Sequence, residues 1–184
     1  MNLFEFTSLP IEGAYLIQQN PVKDNRGLFS KVFSDEHMNG PLPPFQIKQA
    51  NHSVTTNIGS IRGLHYQIAP FTENKLVKCI KGKIFDVFVD CRKNSPTFLK
   101  WYGTYLTPES FQMLWVPTGC AHGFQAVEAH SEAIYFSNSP YKPASEMGLR
   151  YDDPKVKINW AVTPSLLSER DLSIPFLDSK FDGL

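Results

Sequence analysis

Neither sign of charge prevails in this chain of 184 residues: 18 Lys and Arg stand against 18 Asp and Glu, and the formal net charge is zero. A protein devoted to nucleic acid needs a basic surplus to displace phosphate counterions, so that class is excluded, as are basic membrane-surface and acidic-tail proteins. Long apolar runs are missing as well, and no stretch approaches the ~18 residues that cross a bilayer as a helix. Neither nucleic acid nor a membrane is expected as a partner. The first eight residues hold no basic group and place Glu5 where an export signal has its apolar stretch, which predicts no signal peptide and a cytoplasmic location. Cysteine is scarce. Cys79, Cys91 and Cys120 are odd in number and form no Cys-x-x-Cys pair. That argues against a disulfide framework or zinc knuckle and for reduced thiols packed in a core.

What the sequence does have is apolar material and punctuation. Hydrophobic residues make up 42% and aromatics 13%, with 14 Phe, enough for one sizeable core and hence one domain over residues 1–184. The segment 176–184 reads as a loosely attached tail. Eleven Gly and 14 Pro recur at short intervals, which suits short strands and turns. Between them lie β-branched and aromatic runs at Lys75–Ile80, Lys83–Cys91, Thr97–Leu106, Gln112–Val116 and Ala133–Ser137. In Lys83–Cys91 one parity holds Phe85, Val87, Val89 and Cys91 and the other Ile84, Asp86, Phe88 and Asp90, the period of a strand with one fully buried face. Leu76–Phe85 reads as a hairpin turning at Gly82. Helical periods are few and short, at Ser34–Met38 and Ser165–Asp171. The expected fold class is all-β, a jelly-roll β-barrel or sandwich with a few short peripheral helices.

Two clusters carry candidate chemistry. In Arg62-Gly-Leu-His-Tyr-Gln67 the ionisable residues Arg62 and His65 stand three apart and would face opposite ways on a regular strand, unless Gly63 bends it. The plain alternative is a surface Arg and a hydrogen-bonded core His. In Val116-Pro-Thr-Gly-Cys-Ala-His-Gly-Phe124 a Pro-x-Gly turn delivers His122 to the next strand. Pro-x-Gly-x-x-His resembles the second motif of the cupin superfamily, whose metal-binding members carry His-x-His on the earlier strand. Here that triplet is His65-Tyr66-Gln67, so no metal is expected. Two metal-free imidazoles in a barrel suit proton transfer near neutral pH. Lys75 shares parity with Val77 and Cys79 and would point inward, where an ammonium can stabilise an oxyanion, or else it is a solvated strand-end lysine. Tyr135 lies on the more polar parity of its strand and could donate a proton, although aromatics are common in strands.

Further fragments join these in order: Asp24-x-Arg26-Gly27, Gln49-x-Asn51-His52-Ser53, Lys75-Leu-Val, Gly82-Lys-Ile-Phe-Asp-Val-Phe-Val-Asp90, Ser95-Pro-Thr-Phe98 with Trp101, Tyr141-x-Pro143, Asp153-Pro154, Trp160 and Leu167-Ser-x-x-Asp171. Together, from about residue 10 to 175, they resemble the dTDP-4-dehydrorhamnose 3,5-epimerase family. The resemblance implies a cupin-type homodimer without cofactor or metal. Such an enzyme inverts carbon 3, carbon 5 or both beside the keto group of a nucleotide-linked 4-keto-6-deoxy sugar, in deoxysugar supply for cell-surface polysaccharide. It implies His65 as base paired with Asp171, Lys75 on the enolate oxygen, and Tyr135 as the opposing acid. His122 would give polar support near the sugar, and Arg62 would bind the diphosphate. Gln49, Asn51, Phe29 and Glu146 complete the binding set, with Tyr141 against the base and Arg26 reaching in from the neighbouring subunit. After Arg26-Gly27 the family has an aromatic and then a Glu, whereas this chain has Leu28-Phe29-Ser30-Lys31. That charge reversal leaves thymidine, guanosine and cytidine open as the base. A 3-only epimerase, a metal-dependent cupin enzyme and a non-catalytic sugar-binding barrel are the competing readings.

Overall fold

The computed structural model describes residues 2–36, 38 and 40–184. Strands dominate it: β1 (Phe4–Ser8), β2 (Tyr15–Gln19), β3 (Val22–Asp24), β4 (Gly27–Phe29), β5 (Gln49–Thr55), β6 (Ile61–Gln67) and β7 (Lys75–Lys81). There follow β8 (Ile84–Asp90), β9 (Trp101–Leu106), β10 (Gln112–Val116), β11 (Cys120–Ala126), β12 (Ser131–Ser137), a single 3-10 turn at Pro143–Ser145, β13 (Glu146–Gly148) and α1 (Glu169–Ser173). Two antiparallel sheets face each other, one in the order β1-β2-β10-β7-β12-β5 and the other β13-β6-β11-β8-β9, and β3-β4 forms a separate hairpin. This is the all-β, jelly-roll arrangement that the turn spacing predicts, with one short α-helix at its edge.

The inner faces pack Val77, Cys79, Leu114, Val116 and Ala133 of the first sheet against Ile84, Phe88, Leu106, Cys120 and Phe124 of the second. Each outer face has its own cover. Leu76, Met113 and Trp115, with Phe4 and Ile17 of the same sheet, lie under Leu42 and Phe45 from the N-terminal part of the chain. Trp115 meets Phe45 edge-on with ring centroids 4.9 Å apart, a contact worth about 1 kcal/mol beyond its burial. Phe85, Val87 and Val89 lie under Leu149, Val156 and their neighbours from the C-terminal part.

This layering corrects two sequence expectations. β8 is buried on both faces, because one parity fills the barrel and the other meets the C-terminal cover. Gly82, at φ +68°, turns the chain between the sheets: β7 pairs with β10 and β12 while β8 pairs with β9 and β11, so there is no β7–β8 hairpin. The helical reading of Ser34–Met38 includes His37, which lies outside the described residues; Met38 N–H donates to Ser34 O at 3.0 Å. That of Ser165–Asp171 is displaced, because Ser168 caps α1 by accepting the Asp171 N–H at 3.0 Å. Along 176–184, Leu177 N–H donates to Asp153 Oδ2 at 2.7 Å, Leu184 N–H to Cys91 O at 2.8 Å, and Lys93 Nζ pairs with Asp182 Oδ2 at 2.6 Å. No described helix is long and apolar enough to cross a membrane.

Candidate active site

Polar residues replace the apolar core where β5, β12 and the start of β7 face β6, β11 and β13. β6 solves the parity problem of Arg62 and His65. His122 pairs with His65 and Phe124 with Arg62, so three residues of β11 lie opposite four of β6, and the extra residue puts Arg62 and His65 on one face. Glycine makes the bulge possible. Gly63 sits at φ +110°, and a Cβ there would lie 2.7 Å from both the Gly123 Cα and the His122 carbonyl oxygen.

His65 Nε2 lies 2.7 Å from Asp171 Oδ1, so the contact with α1 expected from the resemblance is present across 106 residues of chain. Burial pushes the Asp171 carboxyl up, but the hydrogen bond and charge of His65, with help from Ser168 and the Gly63 N–H, draw it below its ordinary value. An ionised Asp171 accepts the Nε2 hydrogen and leaves the Nδ1 lone pair free to take a proton.

Lys75 comes from the facing sheet and is buried. Its Nζ donates to the His65 carbonyl oxygen at 3.1 Å and lies 3.3 Å from Glu73 Oε1. Tyr135 stands on β12 between Asn51 of β5 and Val77 of β7. Burial pushes its phenol up, Arg62 draws it down, and Glu73 and Glu146 raise it further, so it stays protonated at neutral pH. His122 forms a second His–carboxylate pair with Asp86, Nε2 to Oδ1 2.9 Å, fully inside the barrel. Asp86 was not foreseen, although an aspartate between Ile84 and Phe88 on an inward parity already demanded a partner. Gln67, at the position of the absent second imidazole, spends its amide on the backbone of Phe71, Pro140 and Lys142.

Gln49 donates to Ser139 O at 2.6 Å and, with Asn51, lines a cavity of about 400 Å³ shared with His65, Lys75, Tyr135, Tyr141 and Glu146. A neighbouring cavity of about 300 Å³ is lined by Arg62, His65, Lys75, His122 and Tyr135, among others. His65, Lys75 and Tyr135 therefore stand where the two meet. Tyr141 OH donates to Glu146 Oε2 at 2.7 Å, and Arg170, which the sequence reading missed, donates to the same oxygen. Arg26 and Phe29 are not brought to this site within one chain. They lie on the β3–β4 hairpin, where Arg26 pairs with Asp24 and is 85% exposed at its side chain.

The pocket's basic side chains come with carboxylate partners: Lys75 with Glu73, His65 with Asp171, His122 with Asp86, and Arg170 with Glu146. Arg62 is held by Thr55 Oγ1 and the Val54 carbonyl, both at 3.0 Å and both neutral, so its charge is left for a ligand. Among the described residues no group of three or more His, Cys, Asp or Glu is placed to hold a metal ion.

Residues 8–179 match the family model described as dTDP-4-dehydrorhamnose 3,5-epimerase. The enzyme of that name from Sinorhizobium fredii is 42% identical over 173 residues, covering 94% of this chain and 89% of its own. Among solved structures, the Legionella pneumophila dTDP-6-deoxy-D-glucose-3,5-epimerase in complex with dTDP-4-keto-L-rhamnose superposes with a TM-score of 0.90 at 32% identity, over 98% of this chain and 97% of that one. A 3'-monoepimerase from Streptomyces bikiniensis in complex with dTDP-quinovose gives a TM-score of 0.83 at 32% identity, over 91% and 85%. With its jelly roll and its His–Asp, Lys and Tyr cavity, the chain belongs to the dTDP-4-dehydrorhamnose 3,5-epimerase family of carbohydrate epimerases.

Proposed function

We propose that the chain inverts carbon 3, carbon 5 or both in a dTDP-linked 4-keto-6-deoxy sugar, with His65 as base, Lys75 on the enolate oxygen and Tyr135 as acid. One observation carries this reading: His65 and Tyr135 project from opposite sheets into shared cavities. A hydrogen beside a carbonyl leaves as a proton when a base accepts it and the electron pair moves onto the carbonyl oxygen. Nδ1 of His65 takes the proton, the Lys75 ammonium meets the developing enolate, and Asp171 stabilises the imidazolium. Inversion needs the new proton on the other face of the carbon, and Tyr135 delivers it from the opposite wall. Arg62 suits the diphosphate through its guanidinium fork. His122, Gln49, Asn51, Tyr141 and Glu146 would hold the sugar and base.

In heavy water, dTDP-4-dehydro-6-deoxyglucose should gain deuterium beside its keto group, and His65→Ala should abolish this. Absence of exchange with dTDP-, GDP- and CDP-linked 4-keto sugars alike would overturn the reading. Labelling carbon by carbon also separates a double epimerase from a 3-only enzyme.

The functional unit is proposed to be a homodimer in which the β3–β4 hairpin carries Arg26 to the neighbour's cavity. Val22, Leu28 and Phe29 leave that hairpin's apolar side chains exposed, Phe29 at 68%. Mixing the inactive His65→Ala and Arg26→Ala proteins should then restore activity, because a hybrid dimer holds one intact site. No recovery would mean that Arg26 serves its own chain. The three free, buried thiols suit a reducing cytoplasm.

A further inference from the structure

Accepting that reading of the site, we propose that Glu73 is a positioning residue that aims the Lys75 ammonium at the substrate's keto oxygen, and that Ser137 holds Glu73 in place. An ammonium has three donors on a long flexible stem, so its direction must be set by its partners. Two donors of Lys75 are engaged, one by the His65 carbonyl at 3.1 Å and one by Glu73 Oε1 at 3.3 Å. A single N–H is left for an oxygen in the cavity. The Glu73 carboxylate is itself fixed, because Ser137 Oγ donates to its other oxygen at 2.6 Å. Ser137 is buried at the end of β12 and is the register partner of Lys75, while its hydroxyl also accepts the Ser139 N–H at 3.2 Å. Lys75, Ser137 and Glu73 thus form a closed triangle on the cavity wall. The side chains of Lys75 and Glu73 are 11% and 10% exposed, so neither charge is well solvated and each is the other's main compensation. Glu73 lies two residues before Lys75 and lines the same cavity, yet no substrate contact is needed for its role.

The triangle makes a kinetic and a spectroscopic prediction. Glu73→Ala should lower kcat by about 10–100-fold while KM stays within about threefold, since an oxyanion donor misplaced by about 1 Å costs on this order. Glu73→Gln, whose amide oxygen can still accept from Nζ, should recover most of that loss. Ser137→Ala should lower kcat by about fivefold alone and by nothing further in the Glu73→Ala background, because it acts through Glu73. On the free protein, the Lys75 side-chain NMR signals, labelled with ¹³C and ¹⁵N and assigned through Lys75→Arg, should lose their rigidity in both Glu73→Ala and Ser137→Ala. Unchanged kcat in Glu73→Ala, additive effects of the two substitutions, or an equally rigid Lys75 in both variants would overturn the proposal. Failure of the wild-type protein to exchange any keto sugar would sink the epimerase reading instead, and the NMR comparison would still decide whether Glu73 orders Lys75.

Discussion

In the proposed reaction Asp171 acts through His65, whose ring proton it fixes and whose imidazolium it stabilises. Replacing it by Asn keeps the shape of the contact but presents an amide N–H to Nε2, which moves the ring hydrogen to Nδ1 and blocks the base. Asp171→Asn should therefore lower kcat by about 10²–10⁴ with little change in KM, read by steady-state kinetics. Asp90 is a carboxylate of a different kind, remote from the cavity's chemistry. Burial pushes it up, yet Arg92, the hydroxyls of Ser95 and Thr97 and the Arg92 N–H, at 2.6–3.0 Å, draw it down to about 2. Its unfolded value lies near 3.9, so the depressed native value contributes about 2 kcal/mol of stability above pH ~4. That contribution is lost as pH falls toward 2. Urea titrations between pH 2 and 5 should show the loss in the wild type, and Asp90→Asn should be less stable at pH 7 and flatter with pH. Parallel profiles for the two would contradict the assignment.

Strand β6 depends on its bulge. At Gly63 an added Cβ meets backbone atoms rather than a side chain that can swing away, and the residue holds φ +110°. Gly63→Ala should lower stability by about 3 kcal/mol or more and remove activity, as thermal unfolding and the exchange assay would show. The need for a bend could be read from the sequence, because two functional residues three apart around a glycine cannot share a face of a regular strand. Strands β7, β8, β10 and β12 were legible as β-branched and aromatic runs, whereas the run 97–106 begins four residues before β9 and β13 was not read. β1 to β4 were not legible, since they are three to five residues long, β1 and β2 with mixed burial and β3 and β4 exposed throughout. Which strands pair was hidden as well. Gly82 reads the same whether it closes a hairpin or turns a corner between sheets, and only the distant partners β10, β11 and β12 decide. The same limit hid Glu73, Ser137 and Arg170, whose roles arise from contacts across 64 residues or, for Arg170 and Glu146, 24 residues of chain.

At the scale of the molecule, a net charge of zero goes with a cavity in which Lys75, Arg170, His65 and His122 each stand beside a carboxylate and Arg62 does not. Net neutrality excludes a polyanion partner, while one unmatched guanidinium suits a small diphosphate. Both sheets are covered on their outer faces, and all three cysteines are buried, Cys79 and Cys120 between the sheets and Cys91 beneath the C-terminal cover. Burial pushes the Cys79 thiol up to about 11 and Cys91 up to about 12, and raises Cys120 as well. Iodoacetamide at pH 8 should therefore leave the native protein unlabelled and add three groups after denaturation, counted by mass spectrometry. The placement of the proposed base His65 and acid Tyr135 on facing sheets is the centre of the account, and stereochemistry tests it most directly. In heavy water, with a dTDP-linked 4-keto-6-deoxy sugar, the wild-type protein should incorporate deuterium with inversion. Tyr135→Phe should incorporate it with retention, because His65 exchanges the abstracted proton with solvent and returns a deuteron to the face the proton left. Inversion by Tyr135→Phe at the wild-type rate would contradict the account.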